Sequence, residues 1–154
     1  MLTYRSITRE DAKALNRLIS DVFEKDIAVH FTKEGRRTFL SYIAPDLIES
    51  RMNNGHWGLI AENDDDMIGT IFVKGADHIN LFFIRNGHQR KGIGRSLLEI
   101  AIKRCLGFYP DTGKITVNAS PNAVEGYESL GFSSTGTQRE LYGIRFTPME
   151  LFIR

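Results

Sequence analysis

The chain has 154 residues, 42% apolar and 25% charged, which excludes a disordered polymer and leaves length for one domain with a sizeable core. Twenty basic and nineteen acidic side chains leave a formal charge of +1, so there is no overall basic balance of the kind that nucleic acid or a membrane surface attracts. The single cysteine, Cys105, excludes an internal disulfide and fits a reducing compartment. MLTYRSITRED lacks the apolar core of a secretion signal, and no run approaches the ~20 apolar residues of a membrane span. The expectation is one cytoplasmic domain over 1–154, with no nucleic-acid or membrane partner.

In chain order, LTYRSIT alternates well enough for a short first strand. Thr8 reads as a helix N-cap, with Asp11 at the position where a capping box carries Glu or Gln. Ala14, Leu15, Leu18, Ile19, Val22 and Phe23 then recur at helical spacing as an apolar face. A second helix is predicted from Thr32 or Lys33, presenting Phe39, Leu40, Ile43, Leu47 and Ile48, with a break or kink at Pro45. From residue 57 the period becomes that of strands. HWGLIAE and MIGTIFVKG flank the acidic turn NDDD as a hairpin. HINLFFI (78–84), rich in β-formers on both faces, has the pattern of a central strand.

A loop with glycines follows, and then a helix over roughly 92–106 with Ile93, Leu97, Leu98, Ala101, Ile102 and Cys105 inward. KITVNA (114–119) is a short strand, and SPNAVEGYESLGF (120–132) a helix capped by Ser120, with Pro121 in its first turn and Gly131 at its end. Strands near 132–138 and 144–152 close the chain. The sum is mixed α/β, one open sheet with helices on both faces. His30, His56 and His88 are scattered without metal-ligand spacing, so no metal is expected.

The stretch NGHQRKGIGRSLL (86–98) concentrates the chemistry. A strand ending at Ile84, a glycine loop and a helix start leave backbone N–H groups unpaired, and these donors together with the helix dipole attract an anion. Gly92 and Gly94 let a phosphate approach without a Cβ in the way. Within 85–104, Arg85, Arg90, Lys91, Arg95, Lys103 and Arg104 stand against Glu99 alone. The alternative is a glycine turn with a solvated basic face. The dinucleotide pattern G-x-G-x-x-G fails at Leu97, and the phosphate loop fails because Lys91 precedes its glycine. Nucleic acid calls for a broader basic surface than this patch.

Gln89-Arg90-Lys91-Gly92-Ile93-Gly94 resembles the acetyl-coenzyme A signature Q/R-x-x-G-x-G/A of the GNAT superfamily of N-acetyltransferases. SPNAVEGYESLGF resembles that superfamily's second block, A-x-x-x-Y-x-x-x-G-F, at Ala123, Tyr127, Gly131 and Phe132. The two blocks stand in the family's order, and GIRFTPMEL (143–151) resembles the ending of its small bacterial members. The resemblance covers essentially the whole chain. It implies a mixed, mostly antiparallel central sheet of about seven strands, with a splayed parallel pair formed by the fourth and fifth strands and helices on both faces.

By the same resemblance, the coenzyme A pyrophosphate would lie on amides of the loop Gln89, Arg90, Lys91, Gly92, Ile93, Gly94 and Arg95, with Ser96 a further donor. The pantetheine arm would pair with main chain at Phe82 and Ile84, an amide near Phe82 or Phe83 would face the thioester oxyanion, and Asn118 or Asn122 would bond the pantetheine amides. Tyr127 falls where many members place a general acid; the alternative is a packed aromatic. His78 stands where histone-type members carry a glutamate base, and a histidine of pKa ~6.5 can take a proton directly or through water; a plain strand-edge histidine beside Asp77 is the alternative. Strand alternation would set 78, 80, 82 and 84 on one side, with Asn80 orienting that water. Asn86 replaces a frequent proline and Ser120 a frequent asparagine, and Cys105 reads as core.

The expectation is an acetyl-coenzyme A-dependent transferase, a monomer or homodimer, acting on a small-molecule or peptide amine by direct attack in a ternary complex. DIAVHFTKEGRRTF (26–39) and QRELYGIRF (138–146) would shape the acceptor side. A non-catalytic coenzyme A-binding or interaction domain that keeps the fold is the rival reading.

Overall fold

The computed structural model describes residues 1–153. Eight strands form one sheet in the order β1 (Leu2–Ser6), β2 (His56–Asn63), β3 (Asp66–Lys74), β4 (His78–Ile84), β5 (Lys114–Ala119), β8 (Ile144–Phe152) and β6 (Ser133–Ser134), with β7 (Arg139–Leu141) pairing β8 off this path. Every pairing is antiparallel except β4 with β5. The helices are α1 (Ala12–Val22), α2 (Lys33–Tyr42), α3 (Pro45–Met52), α4 (Ile93–Phe108) and α5 (Val124–Ser129). A π turn and a 3-10 turn carry the chain from α1 to residue 30. No helix among the described residues is long and apolar enough to cross a membrane.

The sheet is apolar on both faces because both are covered. On one, α4 buries Ile93, Leu97, Leu98, Ala101 and Cys105 against Leu59, Ile71, Val73, Ile79 and Val117. On the other, α1 and α3 bury Leu15, Ile19 and Ile48 against Ile60, Phe72 and Leu81. Beside this second layer Phe23, Ile27 and Ala28 join Phe31, Phe39 and Phe83. The mixed sheet, its parallel fourth and fifth strands and the helices on both faces agree with expectation.

Four details differ from the sequence reading. The break expected at Pro45 is present, but Leu40 and Leu47, expected on the apolar face, stay exposed. The Ser120 hydroxyl donates to Asn122 Oδ1 (2.9 Å) instead of capping a helix, so 120–123 is a turn and α5 starts at Val124 behind Ala123. Tyr142 and Gly143 both take positive φ (53° and 80°), which closes a two-residue hairpin between β7 and β8 and raises the strand count to eight. Finally, Phe72 opposes Leu81 while Val73 opposes Ile79, leaving Asn80 as an extra, unpaired residue in β4.

That bulge overturns the predicted alternation. Ile79, Phe82 and Ile84 pack in the α4 layer, whereas Leu81 and Phe83 pack in the α1–α3 layers. His78 bonds Thr116 (Nδ1 to Oγ1, 2.8 Å), and Thr116 alternates with Ile115 and Val117 of the α4 layer. His78 and Asn80 therefore face away from Phe82 and Ile84.

Two tertiary contacts fix the periphery. Arg5 on β1 forks onto Asp11 (2.8 and 2.9 Å) and also reaches Glu62 on β2 (2.8 Å). Burial alone would raise the Asp11 carboxyl, but hydrogen bonds from Arg5 and the Thr8 amide hold it below the usual carboxylate range. At the other end the β7–β8 turn lies on α2, where Thr32 Oγ1 donates to Gly143 O (3.1 Å) and accepts from Gly35 N (3.0 Å). A Cβ on Gly35 would stand 2.2 Å from Gly143 O, so only glycine allows this approach.

Asp11→Asn is expected to cost about 2 kcal/mol in urea unfolding at pH 7. Because folding lowers the Asp11 pKa, the wild-type advantage holds above the unfolded value near ~4 and shrinks as pH falls through the folded one. Gly35→Ala is expected to destabilise by about 1–3 kcal/mol and to loosen the hairpin, which amide exchange at residues 139–146 reads directly.

Candidate active site

The parallel β4–β5 ladder has two register pairs, His78 with Thr116 and Ile79 with Val117. After the Asn80 bulge the strands part. Arg85 N donates to Ile68 O on β3 (2.7 Å), so by the two-residue alternation of an antiparallel ladder Phe83 also turns its backbone groups to β3. The N–H and C=O of Phe82 and Ile84 then face the opened side, where Gln89 Nε2 donates to Ile84 O (3.1 Å).

Residues 86–92 lead from this edge to α4. Gly92 caps the helix at φ 83° and Arg90 sits at φ 63°, the left-handed backbone that curls a loop around a concavity. Among the described residues the amides of 89–95 meet no backbone or side-chain acceptor, whereas Ser96 N donates to Gly92 O (3.0 Å). Ile93 anchors the loop by burying its side chain in the α4 layer. A Cβ on Gly92 would meet nothing within 4 Å, and one on Gly94 would come no nearer than 3.6 Å to Phe82. The fold itself does not require a bare Gly94, which leaves open space over the free amides. Lys91 is exposed, and Arg95 Nη2 donates to Ser129 O (3.1 Å), tying this end of α4 to α5.

The parted strands open into a cleft of about 420 Å³. Phe82 and Tyr127 line it from the α4 layer, and Phe23, Phe31, Phe39 and Phe83 from the layer beside α1. Tyr42, His78, Asn80, Asn118 and Ser120, with Leu141, Ile144, Arg145 and Phe146 of the β7–β8 hairpin, complete the lining.

Tyr127 packs edge-on against Phe82 (6.0 Å) and Phe132 (5.2 Å). Burial pushes its phenol well above the usual tyrosine range, so it stays protonated at neutral pH. His78 moves the other way: loss of water lowers it first, Lys74 lowers it further, and Asp77 opposes both. The ring is neutral at pH 7, with Nδ1 engaged to Thr116 Oγ1. Asn80 donates through Nδ2 to Tyr42 Oη, over whose ring the Arg51 guanidinium lies at 3.4 Å. Its Oδ1 is buried without a protein partner. Cys105 is buried away from the cleft, its thiol pushed up to about 11 by burial.

Of the residues singled out from sequence, His78, Phe82, Phe83, Asn118 and Tyr127 meet in this cleft, and Gln89–Ser96 form the adjoining loop. Asn122 does not join them; it is exposed and its Oδ1 accepts from Ser120. Sequence reasoning missed the cleft positions of Phe23 and Tyr42. Phe23 reads as core of the first helix, and no local signal marks Tyr42. Among the described residues no three His, Cys, Asp or Glu side chains could hold a metal ion.

Comparison with known proteins agrees with this arrangement. An acetyltransferase (GNAT) domain profile matches residues 27–153. The fold is similar to a GCN5-related N-acetyltransferase from Rhodopseudomonas palustris (TM-score 0.84, 20% identity, 98% of this chain and 95% of that one). It is similar also to the PaiA N-acetyltransferase of Thermoplasma acidophilum solved with coenzyme A (0.83, 18%, 99% of each chain). A variant of the spermidine N-acetyltransferase SpeG from Vibrio cholerae is a more distant likeness (0.66, 20%, 98% and 93%). With a domain profile spanning most of its length and this sheet at its centre, the chain belongs to the GNAT acetyltransferase family.

Proposed function

We propose that residues 1–154 act as a single domain that transfers the acetyl group of acetyl-coenzyme A to a primary amine by direct attack in a ternary complex. The observation that carries this reading is the continuity of one cleft from the parted β4–β5 edge to an aromatic chamber, with a protonated phenol and a neutral imidazole both on its lining.

On the donor side, the unpartnered amides of 89–95 at the start of α4 suit a pyrophosphate, and the basic side chains of Arg90, Lys91 and Arg95 add attraction. Main chain at Phe82 and Ile84 offers the pantetheine arm a strand edge, and Asn118, which lines the cleft, is better placed than Asn122 to bond it. The Phe82 amide, which faces the opened side while that of Phe83 is turned to β3, would steady the oxyanion as the carbonyl becomes tetrahedral.

Across the cleft, His78 acts through its free Nε2 as the base, directly or through water. The ammonium group first gives one proton to His78, which passes it to solvent; the neutral amine nitrogen then forms a bond to the thioester carbon, a second proton leaves it through His78, and the carbon–sulfur bond breaks. The Tyr127 hydroxyl protonates the departing thiolate. The amine-derived proton later restores the phenol through solvent, leaving an amide and coenzyme A thiol. Binding of coenzyme A without thiol release on any amine would favour the non-catalytic reading.

Thiol release from acetyl-coenzyme A across an amine panel tests the proposal. Tyr127→Phe should lower kcat by about 100-fold while leaving the coenzyme A Kd, from calorimetry, within about twofold. Equal losses in both would make Tyr127 a packing residue. Since His78 is lowered, the acid limb of kcat/KM should fall below pH ~6.5, and His78→Gln should abolish that limb. An unchanged limb in the variant removes His78 from the mechanism.

A further inference from the structure

We infer that the acceptor is a primary monoamine with an aromatic or otherwise apolar body, and that the cleft selects against polyamines. This rests on the acetyl-transfer reading above and names the substrate class which that reading leaves open.

The acceptor side is an almost continuous aromatic surface. Phe39 stacks on Phe23 at 4.5 Å, Phe31 meets Phe23 edge-on at 5.0 Å, and Phe83 lies 6.0 Å from Phe39. A flat apolar body laid against the half-buried rings of Phe31, Phe39 and Phe83, which the fully buried Phe23 backs, gains the offset and edge-to-face contacts that aromatic groups favour, and sheds water in doing so. The polar groups on the same walls are neutral: the hydroxyl of Thr38, the His78 ring, and the amides of Asn80 and Asn118.

No Asp or Glu lines the cleft among the described residues. The permanent charge on its wall is that of Arg145, which donates to His30 O (2.8 Å) from β8. Asp26, beside the lining residue Ile27, is occupied by Asn86 Nδ2 (2.6 Å), and Asp77, beside His78, acts on that ring from outside the lining. Amines of pKa ~10 are ammonium ions at pH 7. A monoamine loses its one charge on activation beside His78. A polyamine must bring further ammonium groups into an apolar chamber, where no carboxylate lines the wall and Arg145 repels them. The chemistry of the walls therefore accepts one nitrogen and rejects the second.

The test uses the intact chain with acetyl-coenzyme A and compares 2-phenylethylamine with spermidine at pH 7.5. Wild-type protein should show kcat/KM about 100-fold higher for 2-phenylethylamine. Thr38→Glu places a carboxylate on the cleft wall from a helical position that accepts glutamate. It should narrow the ratio about tenfold, chiefly by raising activity on spermidine. Calorimetry of both amines against the coenzyme A-loaded protein separates binding from turnover. Spermidine used as well as 2-phenylethylamine by the wild type, or no gain on spermidine in Thr38→Glu, overturns the assignment and leaves acetyl transfer standing. Selective binding of 2-phenylethylamine without thiol release supports the assignment and overturns transfer. Neither binding nor turnover of either amine overturns both.

Discussion

Between β4 and β5 the ladder holds for two pairs, and the backbone uncovered beyond them has to be used by something other than a strand. A parallel pair that ran the full length of both strands would satisfy its own hydrogen bonds and close the sheet. Here the extra residue at Asn80 turns β4 away from β5 while β3 keeps its other edge paired. The opening is thus held by ordinary packing on both sides, Ile79 and Val117 against α4 and Leu81 against α1 and α3. A gap in the middle of a sheet is tolerated because the layers above and below remain continuous.

The same scarcity of water governs the chemistry of the opening. Burial raises an acid that is neutral when protonated and lowers a base that is neutral when deprotonated. Tyr127 and His78 respond in those opposite directions, each kept in its uncharged form. Lys74 and Asp77 pull His78 in contrary senses, so burial decides its direction. An apolar wall of phenylalanines accordingly conditions two groups that it need not touch through any polar contact.

Much of this was legible in the residues, and the boundary follows the range of the forces involved. The strand–glycine loop–helix junction at 84–94 is local chemistry, and the free amides follow from it. The central position of HINLFFI and the inward face of α4 follow from composition and period. The bulge at Asn80 was not legible, because an unpaired residue exists only relative to the register of β3. Ser120 had a better local partner in Asn122 than the helix amides it was expected to cap. Tyr142 at positive φ is invisible to turn rules that look for Gly, Asn or Asp. Leu40 and Leu47 keep an apolar period whose partners the break at Pro45 removes.

The seat of the β7–β8 turn on α2 is made by main chain and the hydroxyls of Thr32 and Thr38, with the contact itself reserved for two glycines. Of the side chains that this wall displays, Arg145 also ties it down, through His30 O, while Leu141, Ile144 and Phe146 make no hydrogen bond that holds its position. Leu141, Ile144 and Phe146 can be exchanged as a set while the frame that carries them stays in place. In an evolving lineage such a frame separates two kinds of change. Drift in the displayed apolar residues would retune which molecules are welcomed, whereas replacement of Gly35 or Gly143 would loosen the wall itself, so novelty should accumulate in the first set and be purged from the second.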